Sequence, residues 1–597
     1  APQVDRSHAQ QVYRRVRSWV NTGSVPEASG PAIRATNVAG VRVTLRWLGL
    51  TVGAGDLTLP PEQDDPADVV DLAEVAHVAT QRAMKDLRQT LGDARRRAAV
   101  TGPEAEAEGV TPETLGPNLQ LDLQVAHHLT PITLDADAPA ATLFFTFAPG
   151  YHGLRLRSPD READAWFWPA SAIARNIQPE SQMVQLLDAM GYPAQVLEAI
   201  ARPEGPMLYR FQVIHLVRPQ RQAPLMQLTR GNVIIPGSAM DAATVTSIAD
   251  RITDFILRRQ RDAGDFAGTY HPTPDRYDPA TADPGATALT ILALARRADF
   301  LLATGGDEDE RTLIAEAALR ATRLLTSETD DLSSLPAATR GLLLLAATDT
   351  RALANQVALR NQLATSLGLG DQADPDARPA EHGAFAQAVI ARAAVALTRT
   401  ARPPITTEQA AARVNQAWNA AREADAKTRL GALPFLAGAL KHLDLPDDHE
   451  TRARARETLT GWLDRIHGRQ VTRVPEIGPD DILGGYALAD PPATLTAAAV
   501  HPNWYSAPLL MLTAGQLDRQ SPDPRQLIRC SLGARFIGQL MFTGPSMFYI
   551  RSTDDARGGI RRSLWDNRLA PAPAAWALLA LTEFQHATTP VDAGDDD

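Results

Sequence analysis

From residue 240 onward the chain reads as helix after helix, and two kinds of helix alternate. "AATVTSIADRITDFILRRQ", "RTLIAEAALRATRLL", "RALANQVALRNQLATSL", "EQAAARVNQAWNAAREA", "HETRARARETLTGWLDRI" and "PRQLIRCSLGARFIGQLM" carry charge on one face and apolar residues on the other. Between them stand "PGATALTILALARRA", "PAATRGLLLLAAT", "GAFAQAVIARAAVAL", "RLGALPFLAGAL", "SAPLLMLTAGQL" and "PAPAAWALLALTEF", which are nearly uncharged and rich in Ala, Leu and Gly. The first kind wants one wet face and the second wants burial all round. Strict alternation of the two is what an inner ring of helices inside an outer ring requires, so the sequence predicts an (α/α)6 toroid over residues 240–590. A stacked solenoid also alternates helix pairs, but at a near-constant repeat length. Here the connections ahead of the apolar helices vary widely in length, which favours a closed ring with elaborated loops.

The remainder, residues 1–235, mixes helices with strand-like runs without strict alternation and predicts an α+β domain. A helix, "SHAQQVYRRVRSWV", precedes the alternating run "VRVTLRWL" and a long helical stretch around 68–98. Strand-like runs follow in "LQLDLQVAHHLTPITL", "ATLFFTF", "HGLRLR" and "DAWFWPA", then two short helices and a last pair, "PMLYRFQVIHLV" and "PLMQLTRGNVIIP". At 597 residues two or three domains are expected, and 44% hydrophobic with 22% charged residues is a globular balance. A net charge of −11 gives phosphate-backbone binding no global support, so no nucleic-acid partner is expected. The longest uncharged stretch, 491–517, carries Pro491, Pro492, Pro502 and Pro508 and does not suit a membrane span. A start at Ala1 and a single cysteine, Cys530, suit a periplasmic or secreted protein trimmed of a signal peptide. The end, "DAGDDD", reads as a solvated acidic tail over 591–597.

The order of pieces in the first domain resembles the AMME-chromosomal-region domain family. The matching pieces are "GVRVTL" 40–45, "HHLTPI" 127–132, "PGYHGLRLR" 149–157, Trp168-Pro169, a leucine-bearing helix at Leu186–Leu187, "GYPAQV" 191–196 and "YRFQV" 209–213. That family carries a cysteine-containing stretch after its first strand, where this chain reads "LGLTVGAGDL", so the chemistry of that stretch is not implied here. His127, His128 and His152 read as surface or turn histidines rather than metal ligands, because adjacent strand residues point to opposite faces. No metal or other cofactor is expected.

In the second region, the glycine-led segments "GTYHPTPDRYDP", "GGYALADPP" and "GGIRRSLWDN" ahead of apolar helices resemble those of toroids in the terpenoid-cyclase, prenyltransferase, glycosidase and polysaccharide-lyase groups. "STDDARGG" lacks the spacing of an Asp-rich magnesium site, and Cys530 falls in an outer helix, away from any zinc triad. In a toroid the loops ahead of the inner helices gather at one end. They would bring together Tyr270, His271 and Asp278 from the first loop, and His501, Asn503, Trp504 and Tyr505 from "HPNWYSAPLLML". The last loop adds Arg551, Asp554, Trp565 and Asp566. Aromatics are only 5% of the chain, so their concentration in loops departs from its own average. Rings beside carboxylates, Arg and Asn suit a sugar cleft. Asp278 with Asp554, Asp555 or Asp566 would supply the two carboxylates of hydrolysis. Uronate elimination would instead use His501, His271 or Tyr505 as the proton acceptor, with Asn503 or Arg551 on the sugar carboxylate. Tyr270, His271, Trp504, Trp565 and Asp566 complete the expected substrate-binding set.

The leading expectation is therefore an exported carbohydrate-active protein with a polysaccharide or oligosaccharide ligand. The alternative is a non-catalytic binding or cell-envelope scaffold protein, with room for a partner protein. As plain structure, the same Asp residues cap turns, the Trp residues seal the ring, and the Arg residues pair at the surface.

Overall fold

The computed structural model describes all residues except 1, 60–67, 102–109, 135–141, 161, 202–204, 220–221, 328–330, 370–381, 447–448, 474–477, 488–500 and 590–597. The acidic end, Pro491 and Pro492 thus lie outside the described residues.

The first region is α+β. Helix α1 (Arg6–Thr22) starts at Asp5, whose carboxylate accepts from the His8 amide, and ends on Gly23 in the left-handed region. Its buried residues Ala9, Val12, Tyr13, Val16, Trp19 and Val20 recur at helical spacing and face a sheet. The main strands are β1 (Val38–Trp47), β2 (Leu50–Thr58), β3 (Gln120–Ile132), β4 (Gly153–Arg157), β5 (Asp164–Phe167), β6 (Met207–Val217) and β7 (Met226–Leu228). They lie in the order β2-β1-β3-β6-β4-β5, all pairs antiparallel, with β7 on β6. Helix α2 (Leu72–Thr101) packs on β1 and β2. Short helices α3 (Pro169–Arg175) and α4 (Pro179–Ala189) follow β5. "ATLFFTF" differs from expectation: Leu143–Thr146 is a single helical turn. A short apolar run has no period long enough to separate strand from helix.

Alternation along the central strands sorts two faces. Leu121, Leu123 and Val125 of β3, with Val41, Val43 and Leu45 of β1, join the core under α1 and α2. The opposite parity places Asp122, Gln124 and Arg46 on the other face, together with His215 of β6. That face is buried too, because the helical region packs against it: Phe548 contacts His215 and lies under the Arg46 guanidinium.

The second region is helical. Outer helices are α5 (Ala242–Arg258), α7 (Glu308–Ser327), α9 (Val357–Ser366), α11 (Thr407–Glu423), α13 (Glu450–Gly468) and α15 (Pro524–Leu540). Inner helices are α6 (Pro284–Ala303), α8 (Ala337–Asp349), α10 (Ala384–Thr398), α12 (Ala426–His442), α14 (Ser506–Gly515) and α16 (Pro571–Thr588). The inner helices pack consecutively, α6 on α8, α10, α12, α14 and α16 in turn, and α16 returns to pack on α6. Each outer helix lies against an inner one. Burial follows the charge pattern: α10 buries Ala388, Val389, Ile390, Ala391, Ala393 and Val395 on successive faces, whereas α11 buries only one stripe. Among the described residues no helix is long and apolar enough to cross a membrane.

The two regions share one hydrophobic core, since Ile173, Ala174, Val217 and Leu228 belong to the cluster of the inner helices. The chain between them is a strap along α15. Arg535 Nε donates to the Ile235 carbonyl at 2.6 Å, and the Gln539 side chain exchanges bonds with Val233 and Ile235. Gly49 (φ 79°) permits another close approach, for a Cβ there would stand 2.5 Å from the Ile550 carbonyl carbon.

Candidate functional site

The described parts of the loops ahead of α6, α14 and α16 meet at one end of the helix ring. Asp283 caps α6 by accepting from the Ala286 amide, with Pro284 at the first helical position. Before it, Tyr270–His271 and Arg276–Tyr277 form a small hairpin whose turn holds Asp275 at φ 53°. Tyr270 exchanges both backbone hydrogen bonds with Leu569 of the last loop, at 3.0 Å each. The Tyr277 hydroxyl donates to Asp555 at 2.8 Å. First and last loops are thereby sewn together across nearly 300 residues of chain.

What they build is a self-paired network. Asp278 engages His271 at 2.9 Å, Tyr270 donates to Asp275 at 2.8 Å, and Arg551 stands 4.0 Å from Asp275. Asp554 pairs with Arg557 at 3.4 Å, and Asp566 receives the Arg568 guanidinium through both oxygens. Burial first, then the Asp555 carboxylate, pushes the Tyr277 hydroxyl up to about 12. Each carboxylate expected to act on a glycosidic bond therefore has a protein partner.

The aromatic residues divide. Tyr270 and Trp565 are buried to 1% exposure, so neither ring offers a face to a sugar. His501 stands edge-on to Trp565, ring centres 5.6 Å apart. Asn503 is buried and accepts from the Tyr505 amide, turning the chain into α14. Ser506, the first residue of α14, accepts from the Tyr486 amide. Trp504 and Tyr505 remain half-buried, their rings 4.2 Å apart and tilted by 32°, with Lys427 Nζ 5.4 Å from the Tyr505 ring. The polar, aromatic stretch "HPNWY" thus does two jobs: Asn503 shapes the turn, and Trp504 and Tyr505 leave a ring pair at the rim.

The α+β region is seated on this same end. Helix α3 brings the Ala174 carbonyl to the Thr273 hydroxyl at 3.1 Å. The Ile173 carbonyl accepts from Asn567 Nδ2 at 2.5 Å, and Asn176 accepts from the Asn567 amide at 2.8 Å. Ile173 and Ala174 are buried among the ring's own apolar residues. The junction was not legible in the sequence, because nothing local to α3 announces what it covers.

Sequence reasoning also missed the polar groups beneath the seat. Asp122 accepts from His215 at 2.8 Å and from Arg46 at 3.1 Å, all three buried. Burial alone would raise the Asp122 carboxyl, but His215 and Arg46 hold it down at about 2. Arg230, at φ 47°, faces Asp481 at 3.4 Å, and both side chains are fully buried. Burial lowers the Arg230 guanidinium and raises the Asp481 carboxyl, each against the pull of the other. A cavity of about 420 Å³ lies alongside, lined by Arg6, His127, Tyr151, His215, Arg230 and Asp480 among others. The available signal was a charged residue at an inward position of an apolar strand, Asp122 in "LQLDLQV" and His215 in "FQVIHLV".

His152 differs from the surface or turn position expected for it, being buried to 2% exposure. His152 accepts from the Ala148 amide at 2.9 Å, and burial with the nearby Arg210 and Arg230 lowers its imidazole to about 3. His127 and His128 differ from the strand expectation. His128 sits at φ 53° where the β3–β6 register shifts, and the two rings approach to 4.7 Å.

No known family profile matches the chain, and no curated protein matches it. Among solved structures, the chain is similar to an uncharacterized protein from Pyrococcus horikoshii, at 15% identity and a TM-score of 0.25, over 37% of this chain and 95% of that one. It is also similar to a possible member of the GH105 family from Salmonella enterica serovar Paratyphi A, at 12% identity and a TM-score of 0.37, over 59% of this chain and 95% of that one. Both TM-scores lie below one half, and neither likeness carries the functional reading.

Proposed function

We propose that the chain is a carbohydrate-binding protein in which an α+β domain, residues 1–235, is seated on the mouth of an (α/α)6 toroid, residues 240–590. The observation that carries the reading is the Trp504–Tyr505 pair, left half-buried at the rim while Tyr270, Tyr486 and Trp565 are sealed in the core. Half-buried aromatic rings beside a lysine suit the apolar face of a sugar with an acidic or hydroxyl substituent. Binding without cleavage is favoured by the pairing of Asp278 with His271 and of Asp554 with Arg557. The ordered strands of the first domain support its kinship with AMME-chromosomal-region domains, and a periplasmic or secreted setting belongs to the same proposal.

The second reading is glycan hydrolysis or uronate elimination at the rim. It is favoured by the exposure of the Asp278 and Asp554 side chains, 49% and 86%. The deciding experiment titrates intrinsic fluorescence with a panel of acidic and neutral oligosaccharides while following reducing ends and new double bonds. Saturable binding without product, weakened about tenfold in Trp504→Ala, is the expected result. Product formation that disappears in Asp278→Ala, His501→Ala or Asp554→Ala establishes the enzyme reading instead. No binding to any member of the panel defeats both.

A further inference from the structure

The opposite end of the helix ring holds a basin whose described lining is rich in cations. A narrow chamber of about 50 Å³ on the ring axis takes lining from all six inner helices, including Leu292, Leu345, Arg392, Phe435, Leu512 and Leu579. It continues into a basin of about 800 Å³, the two sharing Arg296, Lys441, His442, Gly515, Gln516 and Glu583. The basin adds Arg452, Arg456 and Arg519, against which stand Asp518 and Glu583 as the acids among the described lining residues. Five cations to two acids is the reverse of a chain whose net charge is −11.

Part of this charge has a structural use. Cations near helix C-termini offset the aligned carbonyls, and Lys441 does so by donating to the Gly515 carbonyl at 2.8 Å. Arg392 is different. Its Nη2 donates to Asp349 at 2.7 Å, an oxygen that Arg296 also claims, so two guanidinium groups share one carboxylate. Arg392 is 5% exposed, and its Nη1 has no hydrogen-bond partner. A buried donor of this kind is ordinarily satisfied. Its position depends on Gly438, where a Cβ would stand 3.1 Å from Arg392 Nε and 3.4 Å from Cδ. His442 Nδ1, 3.3 Å from Arg399 Nη1, accepts from that guanidinium, which leaves the ring proton on Nε2 as a further donor.

We propose that this axial chamber and basin bind a small organic molecule through an oxyanion, a carboxylate or a phosphate, received by Arg392 with Lys441 and Arg296 at the neck. The planar fork of an arginine matches either group, while the leucines and Phe435 below admit little beyond the head group itself. The site is independent of the Trp504–Tyr505 platform, which lies ahead of α14 rather than behind it.

The test is isothermal titration of the full chain at constant ionic strength with glucuronate, inorganic phosphate and, as the uncharged control, glucose. Glucuronate and phosphate separate a carboxylate ligand from a phosphate one. One-site saturable binding of at least one of them is expected, with glucose silent. Arg392→Lys keeps a cation for Asp349 but removes the spare donor, and Gly438→Ala displaces the guanidinium without altering charge. Each weakens binding about tenfold, and Lys441→Gln, at an exposed position, about threefold. Absence of saturable binding by both anions overturns the proposal, as does unchanged affinity in Arg392→Lys and Gly438→Ala. If either buried variant fails to fold, Lys441→Gln decides: wild-type affinity there overturns the site. Loss of oligosaccharide binding in Trp504→Ala with these affinities intact separates this result from the rim reading.

Discussion

The two ends of the helix ring carry different mixtures of Arg, Asp and His, and they are used differently. At the mouth the α+β region sits on the loops, Asn567 and Thr273 donate to the carbonyls of α3, and the carboxylates are paired with neighbours. At the far end the cations outnumber the acids among the described residues that line the basin. The difference teaches that residue types at a ring's rim do not define a cleft. What packs on the rim decides how far its charged groups are enclosed by other parts of the chain.

The largest way to break this contrast is to unseat the cover. Ile173→Asp places a charge in the core shared by the two regions, and is expected to cost about 4 kcal/mol or more, read as a lowered urea midpoint. An unchanged midpoint would mean that α3 does not seal the mouth. Next comes the buried cluster under the seat. Asp122→Ala strands His215 and Arg46 and is expected to lose about 3–5 kcal/mol. Because the Asp122 carboxyl is held at about 2 in the folded chain, its contribution is full above its ordinary value of 3.8 and fades as pH falls through about 2.

A smaller effect sharpens the pH behaviour of the mouth. His152 is kept neutral, with its imidazole at about 3 rather than 6.5. The unfolded chain therefore takes up a proton that the folded chain refuses, and stability declines as pH falls from 6.5 toward 3. His152→Gln retains an acceptor for the Ala148 amide and should flatten the decline in thermal midpoint over that range. The smallest effect is at the rim surface. Arg557→Ala breaks an exposed pair with Asp554 and should change stability by less than about 1 kcal/mol. A larger loss would show that this pair is part of the seal.

The helical architecture was legible because burial on all sides leaves a compositional trace. "GAFAQAVIARAAVAL" could not sit at a surface, whereas "EQAAARVNQAWNAAREA" could not be enclosed. The central strands were legible from their alternation, and β6 and β3 appear where the apolar runs lie. The fate of the expected site residues was not. Tyr277 meets Asp555 across 278 positions, and Trp565 lies under Gly150 and α3, relations that no local pattern records. Loop aromatics read alike whether another domain covers them or not. Trp504 and Tyr505 kept the partial exposure that their loop position suggested, whereas Tyr270 and Trp565 did not.

The seam between Tyr270 and Leu569 has one more implication, for synthesis. α6 is made early, yet one of its flanks has no neighbour until α16, ending at Thr588, has left the ribosome. For most of translation the nascent chain must carry an arc of hydrocarbon with a sticky, unfinished edge. Closing so distant a joint is slow and prone to wrong pairings between copies. A truncated chain stopping before Pro571 should accordingly be captured by chaperones or aggregate, while the finished one closes upon itself.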